Sequence, residues 1–240
     1  MYIKETVTAG RVTEVRKYFT TRIHTKGAKR KRRSKPTPEA VRQINHRNTI
    51  RRLRWDLNAN FQGGDIFATL TFRVKDRPER EEMDKLAKRF LRRLRNAYKR
   101  QGIEFKYILV VEYKQVVIHY HLICNYIDTR IIEKAWPHGR VLFKHLDDTG
   151  QYGKLAEYLL KEKVTDYDKY RRPEEKHKKK YWSSQNLKKP TIVKEVIQAK
   201  KWKEPPKAIK GYKLEDEKTQ IGFHDYTGWP FMFYSMVRQC

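Results

Sequence analysis

Two histidines one residue apart, His119 and His121, lie in the apolar run from Val117 to Cys124. β-Branched and aromatic residues dominate that run, which reads as a β-strand. Side chains alternate across a strand with a period of two, so both imidazoles point to one face while Ile118, Tyr120 and Leu122 point to the other. Neutral imidazole nitrogens are ready ligands for a divalent metal, and a strand holds their separation better than a loop does. Glu112 lies on the preceding strand, close to the turn. If it faces the same way, it adds a carboxylate and completes a three-ligand site with open positions for water or substrate, suited to magnesium, manganese or zinc. His138 and His145 are the alternative third ligands. The competing reading of all these residues is the wet face of a half-buried sheet.

Tyr158 and Lys161 are three residues apart in a helical stretch, a spacing that puts them on one face. A phenol holds its proton at neutral pH and is a poor nucleophile. A metal that polarises a scissile phosphate, with an ammonium nearby to favour the developing charge, makes its attack feasible. The competing reading is a tyrosine of the core or of an interface. Tyr152, Tyr167 and Tyr170 are the alternative nucleophiles.

The elements that must position these groups are legible around them. After a turn at residues 60–65, Thr69 and Thr71 alternate with Leu70 and Phe72 in a strand over 66–73. Met83, Leu86, Ala87, Phe90, Leu94 and Tyr98 recur at helical spacing over 79–100, a stripe that reads as core. Residues 107–112 form a strand that pairs with the His-x-His strand as a hairpin. Asp128 or Thr129 caps a short helix to Ala135, the Trp136-Pro137-His138-Gly139 segment ends it, and a strand follows at 140–144. Residues 151–163 are again helical, with Leu155, Ala156, Leu159 and Leu160 inward. Upstream, Thr37 as N-cap and Pro38 at the first position start a helix. Its apolar stripe is Val41, Ile44, Leu53 and Leu57, and Arg47, Arg51, Arg52 and Arg54 make its surface basic. This order predicts an α+β fold, a central antiparallel sheet with helices packed on it, in the manner of a ferredoxin-like or RNA-recognition fold.

Charge narrows the class of partner. The 240 residues contain 56 Lys and Arg against 28 Asp and Glu, a formal charge of +28 that repels itself unless a polyanion is bound. Nucleic acid is the leading partner. The block at 26–35, which includes Lys29, Arg30, Lys31, Arg32 and Arg33, reads as a basic arm, and Arg171 and Arg172 belong to a second basic stretch. Trp136, Trp182 and nearby tyrosines offer flat faces on which unpaired bases stack. Two cysteines, Cys124 and Cys240, exclude a disulfide framework or a thiolate zinc site and suit a reducing cytoplasm. No signal pattern opens the chain and no apolar run is long enough to cross a bilayer, so a soluble, intracellular protein without a membrane partner is expected.

Taken together, Thr69-Leu70-Thr71-Phe72, Glu112 with His119-Tyr120-His121, Trp136-x-x-Gly139 and Tyr158-Leu-Leu-Lys161 resemble the ordered motifs of the HUH endonucleases. Within that superfamily the chain resembles the rolling-circle replication initiators of small bacterial plasmids and phages. Asn60-Phe61 and the segment Tyr181-Trp182-Ser183-Ser184-Gln-Asn-Leu187-Lys-Lys-Pro190 are similar to that group as well. The resemblance implies an endonuclease domain at 38–190, preceded by a basic arm at 1–37 and followed by an extension at 191–240 that packs on it. It implies that His119 and His121 bind a divalent ion, manganese or magnesium, with Glu112 as third ligand. It also implies that Tyr158 attacks a DNA phosphate to leave a 5′-phosphotyrosine and a free 3′-hydroxyl, and that Lys161 assists. Single-stranded or hairpin origin DNA, a host helicase and a host polymerase would be the partners, in a bacterial cytoplasm. One tyrosine at the nucleophile position speaks against a two-tyrosine mechanism, and the turn before His119 lacks a glycine. A single-tyrosine transposase or relaxase uses similar residues. A non-catalytic RNA-binding module of the same topology is the reading from another class.

Overall fold

A computed structural model describes residues 1–20, 37–113, 118–160, 181–198, 204–223 and 228–239. The elements follow in the order β1 (Tyr2–Ala9), β2 (Val12–Phe19), α1 (Pro38–Asn60), β3 (Ile66–Leu70), α2 (Arg80–Arg100), β4 (Tyr107–Tyr113), β5 (Ile118–Cys124), α3 (Thr129–Ala135), β6 (Val141–His145), α4 (Gly153–Leu159), β7 (Tyr181–Ser183), β8 (Thr191–Ile197), β9 (Tyr212–Leu214), β10 (Gln220–Phe223) and β11 (Pro230–Arg238). They form two units, one of Met1–Ile44 with Lys189–Cys240 and one of Asn45–Lys188.

The first unit is an antiparallel sheet in the order β10-β11-β2-β1-β8, with β9 also paired to β11. Val15, Met232, Tyr234 and Met236 form its buried cluster, with Tyr212 and Leu214 against them. Glu5 is buried between Arg16 and the Lys194 ammonium, the latter 3.2 Å away, so its charge is compensated. The stretch that the sequence assigns to a basic arm thus begins as a hairpin built into a sheet, and its basic block at 26–35 lies outside the described residues. This second sheet is new relative to the sequence reading. It rests on pairings such as Tyr2 with Ile197 and Arg16 with Phe233, and strand pairing at that separation leaves no local pattern in a sequence.

The second unit carries the sheet predicted from the motifs, antiparallel throughout, in the order β6-β3-β5-β4-β7. The His-x-His strand is therefore central. One face is closed: Ala68, Leu70, Leu109, Tyr120 and Leu122 pack against Met83, Ala87, Phe90 and Leu94 of α2 and Ile132 of α3. The other face packs Phe67, Ile108, Val110 and Ile123 under Leu53 and Leu57 of α1 and Ala156 and Leu159 of α4. Asp128 caps α3, its carboxylate accepting from the Arg130 N–H at 2.9 Å. In α1 the predicted stripe holds only in part. Leu53 and Leu57 are fully buried, but Val41 and Ile44 are exposed, because the layer beneath the helix begins at Ile50.

Candidate active site

Register decides which side chains meet. Glu112 pairs with His119 across β4 and β5, and His121 pairs with Val110 on one side and Thr69 on the other. Directly opposed residues share a face, so Glu112, His119, His121 and Thr69 stand together on the side that faces α1 and α4. His121 is the buried centre of this group. Its Nε2 lies 2.8 Å from a Glu112 carboxylate oxygen and its Nδ1 lies 3.2 Å from the Thr69 hydroxyl. An ionised carboxylate only accepts, so the neutral ring carries its proton on Nε2, and the Thr69 hydroxyl donates to Nδ1. Thr69 was legible as a strand residue only, since its contact with His121 depends on a pairing between positions 52 residues apart.

Tyr158 completes the constellation. α4 is fastened to α1 by the Tyr152 N–H, which donates to the Asn58 side-chain oxygen at 2.8 Å, and by Ala156, Leu159 and Leu160 in the core. That leaves Tyr158 half exposed, with its ring centroid 5.7 Å from that of His121 and 6.3 Å from that of Phe67. The phenol therefore sits at the solvent edge of the polar group. Lys161 lies outside the described residues.

Other tyrosines in reach of the sheet differ. Tyr181 donates its hydroxyl to Asp56 at 3.3 Å, and burial together with the Asp56 charge pushes its pKa far up, so it stays a neutral donor. Tyr152 is buried with its hydroxyl on the Asp147 carbonyl, which removes it as a nucleophile for DNA. Tyr167 and Tyr170 lie outside the described residues.

The donor types of Glu112, His119 and His121 suit a divalent ion. Around a small ion with bonds of about 2.0–2.2 Å, neighbouring ligands at right angles stand roughly 3 Å apart. The Glu112–His121 separation is close to that. As they stand, the two are bonded to each other, and among the described residues no three His, Cys, Asp or Glu side chains converge into a ready ligand group. His138 and His145 do not join them. His138 packs on Trp136 and Phe72, while His145, opposite Ile66 on the closed face, bonds the Gly64 carbonyl. Cys124 is fully buried, and burial pushes its thiol up to about 12, so it is inert.

The residues expected to contact DNA divide sharply. Trp136 is only 2% exposed, ringed by Phe72, Phe90 and Tyr120, and its indole N–H donates to the Thr71 carbonyl at 2.8 Å. It is a core residue, because stacking on a base would require opening the closed face. Gly139 serves the same junction: a Cβ there would stand 2.0 Å from the Thr71 carbonyl oxygen, so only glycine lets the two backbones approach. Trp182 packs partly buried against the closed core. Ser184 extends the β4–β7 pairing, its hydroxyl accepting from the Tyr107 N–H at 3.1 Å and its own N–H donating to the Tyr107 carbonyl at 3.0 Å. Arg51 is half-buried and donates to the Asn48 side chain at 3.3 Å, whereas Arg52 is exposed. Lys29, Arg30, Lys31, Arg32, Arg33, Arg171 and Arg172 lie outside the described residues.

Asn60 shows why two distant motif segments go together. Its amide donates to the Lys188 carbonyl at 3.0 Å and accepts from the Lys188 N–H at 2.7 Å, while Phe61 and Leu187 share one core cluster. No helix among the described residues is long and apolar enough to cross a membrane. Residues 65–163, a span that contains Glu112, both histidines, Tyr158 and Lys161, match the model of a family of replication-associated proteins, the ORF2 type. No curated protein and no solved structure matches the chain.

Proposed function

We propose, from the match of residues 65–163 to the replication-associated family, that the chain initiates rolling-circle replication by nicking and rejoining single-stranded DNA through Tyr158. The observation that carries this reading is the placement of a half-exposed phenol against His121, beside Glu112 and His119, on one face of the sheet. A general DNA-binding role follows from the family and the charge of +28.

In the nicking step, Tyr158 Oη bonds to phosphorus as the P–O3′ bond breaks. The phenol gives up its proton to solvent and the departing 3′ oxygen takes one up. A 5′-phosphotyrosine and a primer 3′-hydroxyl result, and attack by a 3′-hydroxyl on the phosphotyrosine reverses the step and joins the ends. His119, His121 and Glu112 would hold a manganese or magnesium ion. When bound, the ion would neutralise the charge of the scissile phosphate and make its phosphorus more electrophilic. Thr69 orients the His121 ring through Nδ1, a positioning role of the kind that outer partners play for ligating histidines. Lys161, three residues beyond the nucleophile, would add a positive charge. A host helicase and a host polymerase would use the exposed 3′ end.

The test is a denaturing gel of the protein with single-stranded DNA from its own gene and flanks, with and without manganese. A DNA-labelled protein band is expected from the native chain and is absent from Tyr158→Phe, which keeps its salt-sensitive binding. The double variant His119→Ala with His121→Ala should lose the band while the sheet stays folded. An adduct that persists in the Tyr158→Phe protein would overturn the assignment of the nucleophile. One observation favours a second reading: both nitrogens of His121 are satisfied by neighbours, as in a structural histidine. A non-catalytic DNA- or RNA-binding module would give tight binding and no adduct under any condition.

A further inference from the structure

The closed face of the five-stranded sheet ends in a helix whose other side has no role in the chemistry above. α2 buries Met83, Ala87, Phe90, Leu91, Leu94, Ala97 and Tyr98 against the sheet. Its outer side carries Lys85, Lys88, Arg89, Arg92, Arg93, Arg95, Lys99 and Arg100, all eight exposed, and no acidic residue occurs between Lys85 and Arg100. Arg93 is used locally, donating to the Ala135 carbonyl at 3.0 Å, and Lys99 and Arg100 complement the negative end of the helix dipole. The remaining five, Lys85, Lys88, Arg89, Arg92 and Arg95, stand at spacings of three and four residues, where like charges repel. A packed helix would tolerate Gln or Glu at these exposed positions equally well.

The geometry points to the outer side of α2 as a binding surface for the phosphates of duplex DNA, on the opposite side of the sheet from Tyr158 and His121. The cations run along roughly 20 Å of a rigid helix at about 1.5 Å per residue, a row suited to a regular phosphate backbone. Surfaces for unpaired strands combine charge with aromatic faces for stacking, and this surface has none, because Phe90 and Tyr98 point into the core. The inference rests on the nicking role proposed above: α2 would hold the double-stranded flank of the origin while the opposite face of the sheet receives the single strand.

The test compares Lys88→Gln/Arg92→Gln/Arg95→Gln with a control of equal charge, Lys207→Gln/Lys210→Gln/Lys213→Gln, whose three lysines are exposed in the other unit. Both full-length variants are checked for native helicity, then titrated with a duplex and with a short single-stranded oligonucleotide across a salt series. With about 0.9 lost per phosphate contact, the slope of log affinity against log salt for duplex falls by about 2.7 in the α2 variant only. Its adduct yield on the single-stranded oligonucleotide stays unchanged. An unaltered duplex slope, an equal loss in the control, or an equal loss for both nucleic acids would overturn the assignment. A duplex slope that falls in a protein whose native form makes no adduct would uphold the surface and remove the nicking role.

Discussion

The two faces of the central sheet are made from the same five strands, yet they differ in kind. On the side of α2 and α3 every described sheet residue of the cluster is apolar or aromatic, and the polar atoms of Trp136 and Tyr120 are spent on backbone carbonyls, of Thr71 and Met83 respectively. On the side of α1 and α4, apolar packing at Phe67, Ile108, Val110 and Ile123 gives way along the same strands to Thr69, Glu112, His119 and His121. A strand alternates its side chains, so chemistry on one face costs the other nothing in packing. The closed face supplies the rigidity, and the open one can carry polar groups that contribute little to stability.

That contrast can be broken from either side. The largest effect is expected for Trp136→Ala, which empties the closed face and should lower unfolding free energy by about 3–5 kcal/mol in denaturant titration. A loss of DNA affinity without loss of stability would mean instead that the indole meets bases. Next, Thr69→Val removes one hydrogen bond to His121 and should cost about 1 kcal/mol or less in the same titration, while reducing adduct yield if orientation of His121 matters. Destabilisation comparable to that of Trp136→Ala would erase the distinction between the faces. The smallest effect concerns acid. Burial first, and then the charges of Arg93, Arg73 and Arg89 against the opposing Asp76, hold the His138 pKa below its ordinary 6.5. Below that value the unfolded chain binds the extra proton, so stability falls as pH falls, and His138→Gln should flatten that slope in thermal unfolding between pH 7 and 5.

Much of the site could be read directly. The His-x-His strand, its hairpin with Glu112, the tyrosine helix and the cap at Asp128 are local patterns, in which period, propensity and capping chemistry act over a few residues. Trp136 was misread because an indole looks the same in a sequence whether it stacks on a base or fills a core. The exposed Val41 and Ile44 were misread because apolar spacing tells which face a helix would bury and not how far the neighbouring layer extends.

Composition and periodicity alone were enough to settle the charge of +28 and its preference for polyanions, and the order of strands and helices around the two histidines. Tertiary structure decided the remainder: that Glu112 falls opposite His119, that Thr69 reaches His121, that Tyr158 alone among the described tyrosines beside the sheet presents a half-exposed ring to the imidazole, and that the terminal strands pair into a second sheet. The physical reason is range. Helix and strand propensities act between neighbours, whereas register and burial are set by partners tens to hundreds of residues away, and a shift of one position would have turned every one of these side chains to the other face.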